Sequence, residues 1–311
     1  MSEKNHFSIV GTGAVGGLYG GLLQRAGFNA HFLLRGDYEH VRANGLEIET
    51  PLGDFALPTV NAYNDPRDMP RCDVVIVSLK TTGNAALKTI LPHLLKDDGI
   101  ALTLQNGLGS EEEIAQIVGP DRVMGGLCFL CSNKVGPGHV RHLDYGLITL
   151  GEYRADGRPG GVTPRLEKLG AQLSAADIPV KLIDDLPLAR WKKLVWNVPF
   201  NGLSVTRNQL TDELIRDPEC RALCERLMRE VAAAATAVAR PIENAFIEKM
   251  IADTERMAPY APSMKLDFDR GAPMEIEAIY GAPLRAAAAA GVDMPETRKL
   301  REQLKRLNPV V

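Results

Sequence analysis

The first residues whose spacing is suited to chemistry form a glycine-rich segment near the start of the chain. The pattern is G-x-G-x-x-G, and its members are Gly11, Thr12, Gly13, Ala14, Val15 and Gly16. It lies between a short apolar run and a helical pattern. In that context the first glycine permits a tight turn, the second lets the backbone approach a pyrophosphate, and the third lets helix pack on strand. The segment could also be a plain strand-to-helix turn, but its flanks favour a dinucleotide-binding loop.

Arg35 stands at the end of the second apolar run, where NAD-binding proteins usually carry an acidic residue for the ribose hydroxyls. A guanidinium at that place can instead bind a 2′-phosphate, because its planar donors match the phosphate oxygens. The nearest acid, Asp37, lies past the turn. A solvated arginine at a strand end is the alternative. The position favours NADP over NAD as cofactor.

Two further polar residues follow predicted strands. Lys80 ends the third strand, and Asn106 lies in Q-N-G after the fourth. Ligands of doubly wound sheets bind beyond the carboxyl ends of the strands, so both side chains are predicted to face the cofactor. Lysine and asparagine are also ordinary at such exposed places, and neither decides the function by itself.

A polar stripe runs along a predicted helix in the second half of the chain. Lys193, Asn197 and Asn201 recur every four residues and therefore share one face. The stripe could be the solvated face of an amphipathic helix. However, asparagine is a poor helix former and occurs twice here, and both tryptophans of the chain, Trp191 and Trp196, lie on the same helix. We therefore treat the stripe as a candidate site.

The elements that must position these residues differ between the two halves of the chain. In the first half, short apolar runs alternate with helical patterns, which predicts a parallel sheet with helices on both faces. The predicted strands are Phe7–Val10, Ala30–Leu34, Val74–Leu79, Ile100–Leu104 and Val123–Phe129, and the predicted helices are Ala14–Ala26, Asn84–Leu95 and Glu111–Val118. We also predict a hairpin of Leu46–Glu49 with Phe55–Leu57, a turn at Asp97–Gly99, and an antiparallel addition at the sheet edge from His139–His142 and Leu147–Leu150, with Gly146 near its turn.

After Val180–Ile183 the periodicity becomes helical and stays so. Long helices are predicted at Pro218–Val238, Glu243–Met257, Glu275–Ala290 and Pro295–Leu307. The predicted fold class is α/β, with an N-terminal Rossmann-like dinucleotide-binding domain over residues 1–185 and a C-terminal all-α domain over residues 186–311, which would carry the substrate and catalytic residues.

Composition narrows the classes of partner. The 311 residues are 45% hydrophobic and 24% charged, with a net charge of −3 at pH 7. That balance is typical of a globular protein and gives no reason to expect nucleic acid or an anionic membrane as a partner. The longest apolar run, Val74–Leu79, is the length of a strand, and no signal peptide is recognised, so we expect a cytoplasmic protein.

The five cysteines are predicted to be reduced, buried and structural. Cys128 and Cys131 form C-F-L-C, and Cys220 and Cys224 stand one helical turn apart, so a zinc site drawing on both pairs is conceivable. An odd spacing within a strand sends two side chains to opposite faces, and no histidine has a matching spacing. We expect no metal.

The ordered motifs resemble the ketopantoate reductase family over nearly the whole chain. They are I-V-G-T-G-A-V-G at the start, V-S-L-K ending at Lys80, Q-N-G-L-G around Asn106, W-K-K-L-V-W-N around Lys193, P-S-M around Ser263 and M-E-I-E-A-I-Y-G around Glu275. The resemblance implies reduction of a small-molecule 2-oxo acid, 2-dehydropantoate, to pantoate with NADPH, a step of pantothenate and coenzyme A biosynthesis.

The resemblance also implies roles for individual residues. Lys193 would be the catalytic proton donor and Glu275 the carboxylate that pairs with it and with the bound ligands. The substrate would be held by Asn197, Asn201, Ser263 and Asn106. Cofactor contacts would come from the glycine loop, Arg35, Lys80, Asn106, Cys131 and Glu275.

The sequence departs from the family pattern where substrate shape is read. Tyr280 stands where many members have asparagine, and Tyr260 and Thr211 stand where some relatives carry amides. Two alternatives therefore stay open: a related NAD(P)H-dependent reductase of another branched 2-oxo acid, and a non-catalytic NADP(H)-sensing regulator. A homodimer is the candidate assembly.

Overall fold

The computed structural model describes residues 5–308, and these form two compact units. One unit comprises the chain up to Gln105 together with Ser110–Leu186. The other comprises Asn106–Gly109 and the chain from Pro187 onward. The short segment that contains Asn106 thus belongs to the second unit, although only Leu104 and Gln105 separate it from a strand of the first.

The first unit is built on one sheet. Its strands are β1 (His6–Val10), β2 (Asn29–Leu33), β3 (Leu46–Glu49), β4 (Phe55–Leu57), β5 (Asn61–Tyr63), β6 (Cys72–Val77), β7 (Leu95–Thr103), β8 (Val123–Gly136), β9 (His139–Glu152) and β10 (Val180–Leu182). The order is β4-β3-β9-β8-β7-β6-β1-β2-β5, with β10 paired to β9. Strands β5, β2, β1, β6, β7 and β8 run parallel, so the strand order switches direction between β1 and β6. Such a switch point is where doubly wound sheets bind ligands.

The helices of the first unit cover both faces of the sheet. They are α1 (Ala14–Arg25), α2 (Tyr38–Asn44), α3 (Leu87–Leu94), α4 (Ser110–Val118) and α5 (Pro164–Ser174). Buried leucines of α1 and α5 join one apolar cluster, and those of α3 join a second cluster with Ile114 of α4. The sequence did not point to α2, α5 or β5. For α5 a signal was present, because Thr163 accepts a hydrogen bond from the Leu166 N–H and Pro164 occupies the first helical position.

The expected edge addition is corrected by the structure. The chain turns at Pro137–Gly138, and His139–Glu152 is one continuous strand, β9, antiparallel to β8. Gly146 lies inside β9 with a φ of +119°, in a bulge that leaves it without a partner between two paired residues. Because β3 and β10 pair with its other side, β9 is not an edge. The prediction of a turn at Asp97–Gly99 is also wrong, since these residues lie within β7.

The second unit is helical over its described residues. Its helices are α6 (Leu186–Arg207), α7 (Thr211–Arg216), α8 (Pro218–Ala237), α9 (Asn244–Arg256), α10 (Ser263–Asp269), α11 (Ala282–Ala289) and α12 (Pro295–Leu307). One apolar cluster holds them together, with α6 and α8 contributing many of its members. A π-helical turn at Glu277–Gly281 precedes α11 and replaces the first part of the single helix predicted over 275–290. Between residues 5 and 308, no helix combines the length and apolar character needed to cross a membrane.

Candidate functional site

The glycine loop of the first unit has a geometry that only glycine permits at two places. Gly11 has a φ of +97°, and a Cβ on it would lie 2.3 Å from the backbone nitrogen of Leu79. A Cβ on Gly16 would lie 2.4 Å from the Gly11 carbonyl oxygen and 2.4 Å from Ser78 Oγ. The first and third glycines therefore let α1 and the segment after β6 approach the loop closely.

Gly13 has the opposite environment. A Cβ placed on it would have no heavy atom within 4 Å, so the space beside this residue is open. Gly13 is the residue before α1, and no side chain caps the helix there. Backbone N–H groups at an uncapped helix start attract phosphate, and the adjoining helix dipole favours negative charge. The loop thus fits a dinucleotide pyrophosphate, with Gly13, Ala14 and Val15 at the approach.

Two side chains that the sequence did not single out form hydrogen bonds to the glycine loop and to the segment after β6. Ser78 Oγ donates to the Gly11 carbonyl oxygen at 2.9 Å. Buried Gln105 donates to the Leu79 carbonyl at 2.8 Å and to Asn84 Oδ1 at 2.6 Å. Polar residues at the ends of apolar strands were the available signal. Thr12, inside the loop, donates from Oγ1 to the Leu33 carbonyl at 3.3 Å and ties the loop to the end of β2.

Arg35 lies two residues after β2 and is exposed. The nearby carboxylate of Asp37 is engaged elsewhere, because it accepts from the Gly138 N–H at 3.2 Å and forms an ion pair with Lys134. Asp37 is therefore partly neutralised and would repel a phosphate less than a free carboxylate would. The positive charge of Arg35 at the end of β2 is therefore not opposed by a free carboxylate at Asp37.

Lys80 and Cys131, the other two cofactor candidates of the first unit, lie in different elements. Lys80 is exposed and precedes the 3-10 helix Thr81–Ala86, where its carbonyl accepts from the Gly83 N–H at 2.8 Å. Cys131 is half-buried in β8, paired with Asp144 of β9. Its neighbour Ser132 donates to the carbonyl oxygen of Ala14 at 3.5 Å, at the start of α1.

In the second unit, the polar stripe of α6 is not a solvated face. Asn197 is 6% exposed and Asn201 2% exposed, while Lys193 is half-buried. Burying amide groups is costly unless they are hydrogen-bonded, so an ordinary surface helix would not place them here. The buried Asn201 accepts at Oδ1 from the Met264 N–H at 3.1 Å and from Ser263 Oγ at 3.4 Å. Asn201 and Ser263 are therefore brought together, and one role of Asn201 is to hold the start of α10.

Lys193 donates from Nζ to Asn106 Oδ1 at 2.8 Å. These residues are 87 positions apart in sequence, and each was a separate candidate. A lysine held by an amide oxygen keeps its ammonium group in one place with a proton ready to donate. This contact is the observation in the second unit that most directly suggests acid catalysis.

Glu275 and Tyr280 complete the described arrangement. Glu275 is 4% exposed and lies directly before the helical turn that begins at Ile276. Tyr280 is fully buried and donates from its hydroxyl to the Val198 carbonyl of α6 at 2.9 Å. Burial raises the pKa of Tyr280 well above its ordinary value, so the phenol stays neutral and remains a donor.

The cysteines differ in exposure. Cys72, Cys220 and Cys224 are buried, whereas Cys128 and Cys131 are half-buried, so the expectation of uniform burial is wrong for that pair. Burial raises the pKa of Cys224 to about 12, which keeps this thiol protonated and unreactive. Within residues 5–308 no three His, Cys, Asp or Glu side chains are grouped to hold a metal ion.

Comparison with known proteins gives matches along nearly the whole chain. The family model described as ketopantoate reductase PanE/ApbA matches residues 7–155, and the model of the C terminal part of that family matches residues 185–308. A 2-dehydropantoate 2-reductase from Nostoc sp. (strain PCC 7120) is 53% identical over 308 residues, which are 99% of this chain and 96% of the relative.

Two solved structures are similar in fold and sequence. A crystal structure of 2-dehydropantoate 2-reductase from Geobacter metallireducens GS-15 has a TM-score of 0.93 and 41% identity, covering 97% of this chain and 99% of that one. The corresponding structure from Methylococcus capsulatus has a TM-score of 0.87 and 32% identity, covering 97% and 96%.

Proposed function

The chain belongs to the ketopantoate reductase family, and we propose that it reduces 2-dehydropantoate to pantoate with NADPH as hydride donor. More coarsely, it is an oxidoreductase of the class that acts on CH–OH groups. The observation that carries the proposal is the 2.8 Å contact between Lys193 Nζ and Asn106 Oδ1, which holds a proton donor in place. The cytoplasmic compartment and the homodimer stay predictions.

The first unit supplies the residues suited to the cofactor. Gly13 leaves open space at the start of α1, where backbone N–H groups would receive the pyrophosphate, and Arg35 would bind the 2′-phosphate. Lys80 and Cys131 are the further contacts that we propose in this unit. When bound, NADPH supplies the hydride, and the protein contributes binding, orientation and electrostatics.

The second unit supplies the residues suited to the substrate. Reducing a ketone places negative charge on its oxygen, so a proton donor with a positive charge stabilises the transition state. We propose that Lys193 Nζ gives its proton to that oxygen and that Glu275 keeps the ammonium oriented. Asn197, Asn201 and Ser263 would hold the carboxylate and hydroxyl groups of the substrate, with Asn106 contacting both ligands. A sensor of NADP(H) would not need a lysine held in this way.

A panel of 2-oxo acids tests the substrate. The purified protein is mixed with NADPH and each acid, and the loss of the reduced nicotinamide absorbance is followed. We expect 2-dehydropantoate to have the highest kcat/KM. A higher kcat/KM with another branched 2-oxo acid would replace the proposed substrate, and no turnover with any acid would favour the sensor.

Arg35→Ala is expected to weaken NADPH binding far more than NADH binding. The expected loss is about 1.5–3 kcal/mol for NADPH, because charge-assisted hydrogen bonds to the 2′-phosphate disappear. Steady-state KM values for the two cofactors check this. Arg42→Ala is the control, since Arg42 lies on the neighbouring helix α2 and pairs with Glu39. Equal losses for NADPH and NADH in the Arg35 variant would contradict the assignment.

A further inference from the structure

The turn that follows Glu275 is wound more loosely than an α-helix. Over Glu277–Gly281 the chain forms a π-helical turn, in which the Ala282 N–H donates to the Glu277 carbonyl five residues back. Such turns are rare and occur disproportionately at functional sites. Here the turn begins two residues after a buried carboxylate that we place in the site.

Because of Pro283, this winding leaves the carbonyl group of Ala278 without a hydrogen-bond donor from the helix itself. In an α-helix the carbonyl of Ala278 would accept from the N–H of residue 282, and in a π-helix from that of residue 283. The first of these N–H groups is directed to Glu277, and the second does not exist because proline has none. The Ala278 carbonyl therefore faces a gap in the helical hydrogen-bond pattern.

That carbonyl is used by the segment carrying Asn106. The Leu108 N–H donates to the Ala278 carbonyl oxygen at 2.9 Å. Gly107, which lies between Asn106 and Leu108 in the chain, has a φ of +89°. A Cβ on Gly107 would lie 2.4 Å from the Ala278 carbonyl oxygen. Only glycine allows the segment to approach so closely. Asn106, the adjacent residue, accepts from Lys193 Nζ at 2.8 Å.

The same turn is attached to the helix that carries Lys193. Tyr280 donates from its hydroxyl to the Val198 carbonyl oxygen of α6 at 2.9 Å. A Cβ on Gly202 would lie 2.6 Å from the Tyr280 hydroxyl, so glycine at that position of α6 leaves room for the ring. One π turn is thus bonded both to the Asn106 segment and to α6.

We propose that the π turn Glu277–Gly281, kept open by Pro283, is a latch that positions Asn106 and, through it, the ammonium group of Lys193. Pro283 is a positioning residue, because it acts through the Ala278 carbonyl and Leu108 and is not itself placed against substrate or cofactor. The inference rests on the proposed function, since it concerns the orientation of the proposed proton donor.

Pro283→Ala tests the latch. Alanine restores an N–H at residue 283 that competes with Leu108 for the Ala278 carbonyl, and it also favours regular α-helix. We expect kcat for 2-dehydropantoate to fall by roughly tenfold to a hundredfold, as small misplacements of catalytic groups do. Pro283 is buried, so alanine loses some packing but gains helix propensity, and the melting temperature should stay close to wild type. Pro218→Ala is the control, because Pro218 lies in the first turn of α8, where no N–H is needed; it should keep the wild-type kcat.

A second variant separates positioning from a general structural role. In an Asn106→Ala background, Pro283→Ala should lower kcat by less than twofold further, since the residue through which it acts is gone. A full additional loss in that background would overturn the latch, and so would a wild-type kcat for Pro283→Ala alone. In either result the wild-type protein would still reduce 2-dehydropantoate, whereas failure of the proposed function would appear as no turnover by the wild type.

Discussion

Lys193→Ala is expected to lower kcat for 2-dehydropantoate by roughly a hundredfold or more, the usual cost of losing a general acid. The lysine is half-buried, and its ammonium group is held by Asn106. NADPH binding should persist, because the glycine loop and Arg35 belong to the first unit. Steady-state loss of nicotinamide absorbance at saturating substrate measures kcat, and nicotinamide fluorescence measures cofactor affinity.

Lys192→Ala is the matched control. Lys192 has the same charge and is adjacent in sequence, but it is turned about 100° around the helix. Its ammonium lies 5.4 Å from the centre of the Phe246 ring, a cation–π contact with a structural role. We expect its kcat to stay within a few-fold of wild type, with a small loss of melting temperature. Comparable kcat values for the two variants would end the case for Lys193 as the acid.

Glu275 and Lys193 are expected to act as one unit. Glu275→Ala should lower kcat/KM on the order of a hundredfold, because an acid that is no longer oriented delivers its proton poorly. The double variant should be little worse than the poorer single variant, since residues that share one task give non-additive losses. The kcat/KM values of the two single variants and of the double variant, each compared with wild type, complete the double-mutant cycle.

Glu275→Gln adds a finer control, because it keeps the shape and removes the charge. If the carboxylate orients the ammonium through its charge, this variant should lose nearly as much activity as Glu275→Ala. Losses that multiply in the double alanine variant would mean that the two residues have separate tasks. A melting temperature close to wild type is required in each case, because Glu275 is buried.

Much of the fold could be predicted because local patterns agree with the tertiary structure. The hairpin strands Leu46–Glu49 and Phe55–Leu57 and the helix Pro295–Leu307 have the predicted bounds. Predictions failed where distant pairing decides the outcome. The sequence predicts a break between His142 and Leu147, with Gly146 near the turn. The structure instead pairs β8 with β9 on both sides of this interval, and bulges absorb the extra residues.

The candidate site was predictable as separate pieces, but its assembly was not. The four-residue spacing predicted that Lys193, Asn197 and Asn201 share one helix face. The structure shows that both asparagines are buried. No pattern indicated that Asn106, 87 residues away from Lys193, would meet its ammonium group. Beside Asn106, the Leu108 N–H donates to the Ala278 carbonyl of the π turn, and we propose that this bond positions Asn106. Such a contact has no local signature in the sequence.

Hydride transfer to 2-dehydropantoate is tested most directly with isotopically labelled cofactor. NADPH carrying deuterium at the transferable C4 position of the nicotinamide is incubated with the protein and unlabelled 2-dehydropantoate, and the pantoate formed is examined by mass spectrometry. We expect pantoate with one deuterium at C2, formed in equal amount to the NADPH consumed, and almost none with Lys193→Ala in the same time. Unlabelled pantoate, or cofactor loss without pantoate, would contradict the proposed reaction.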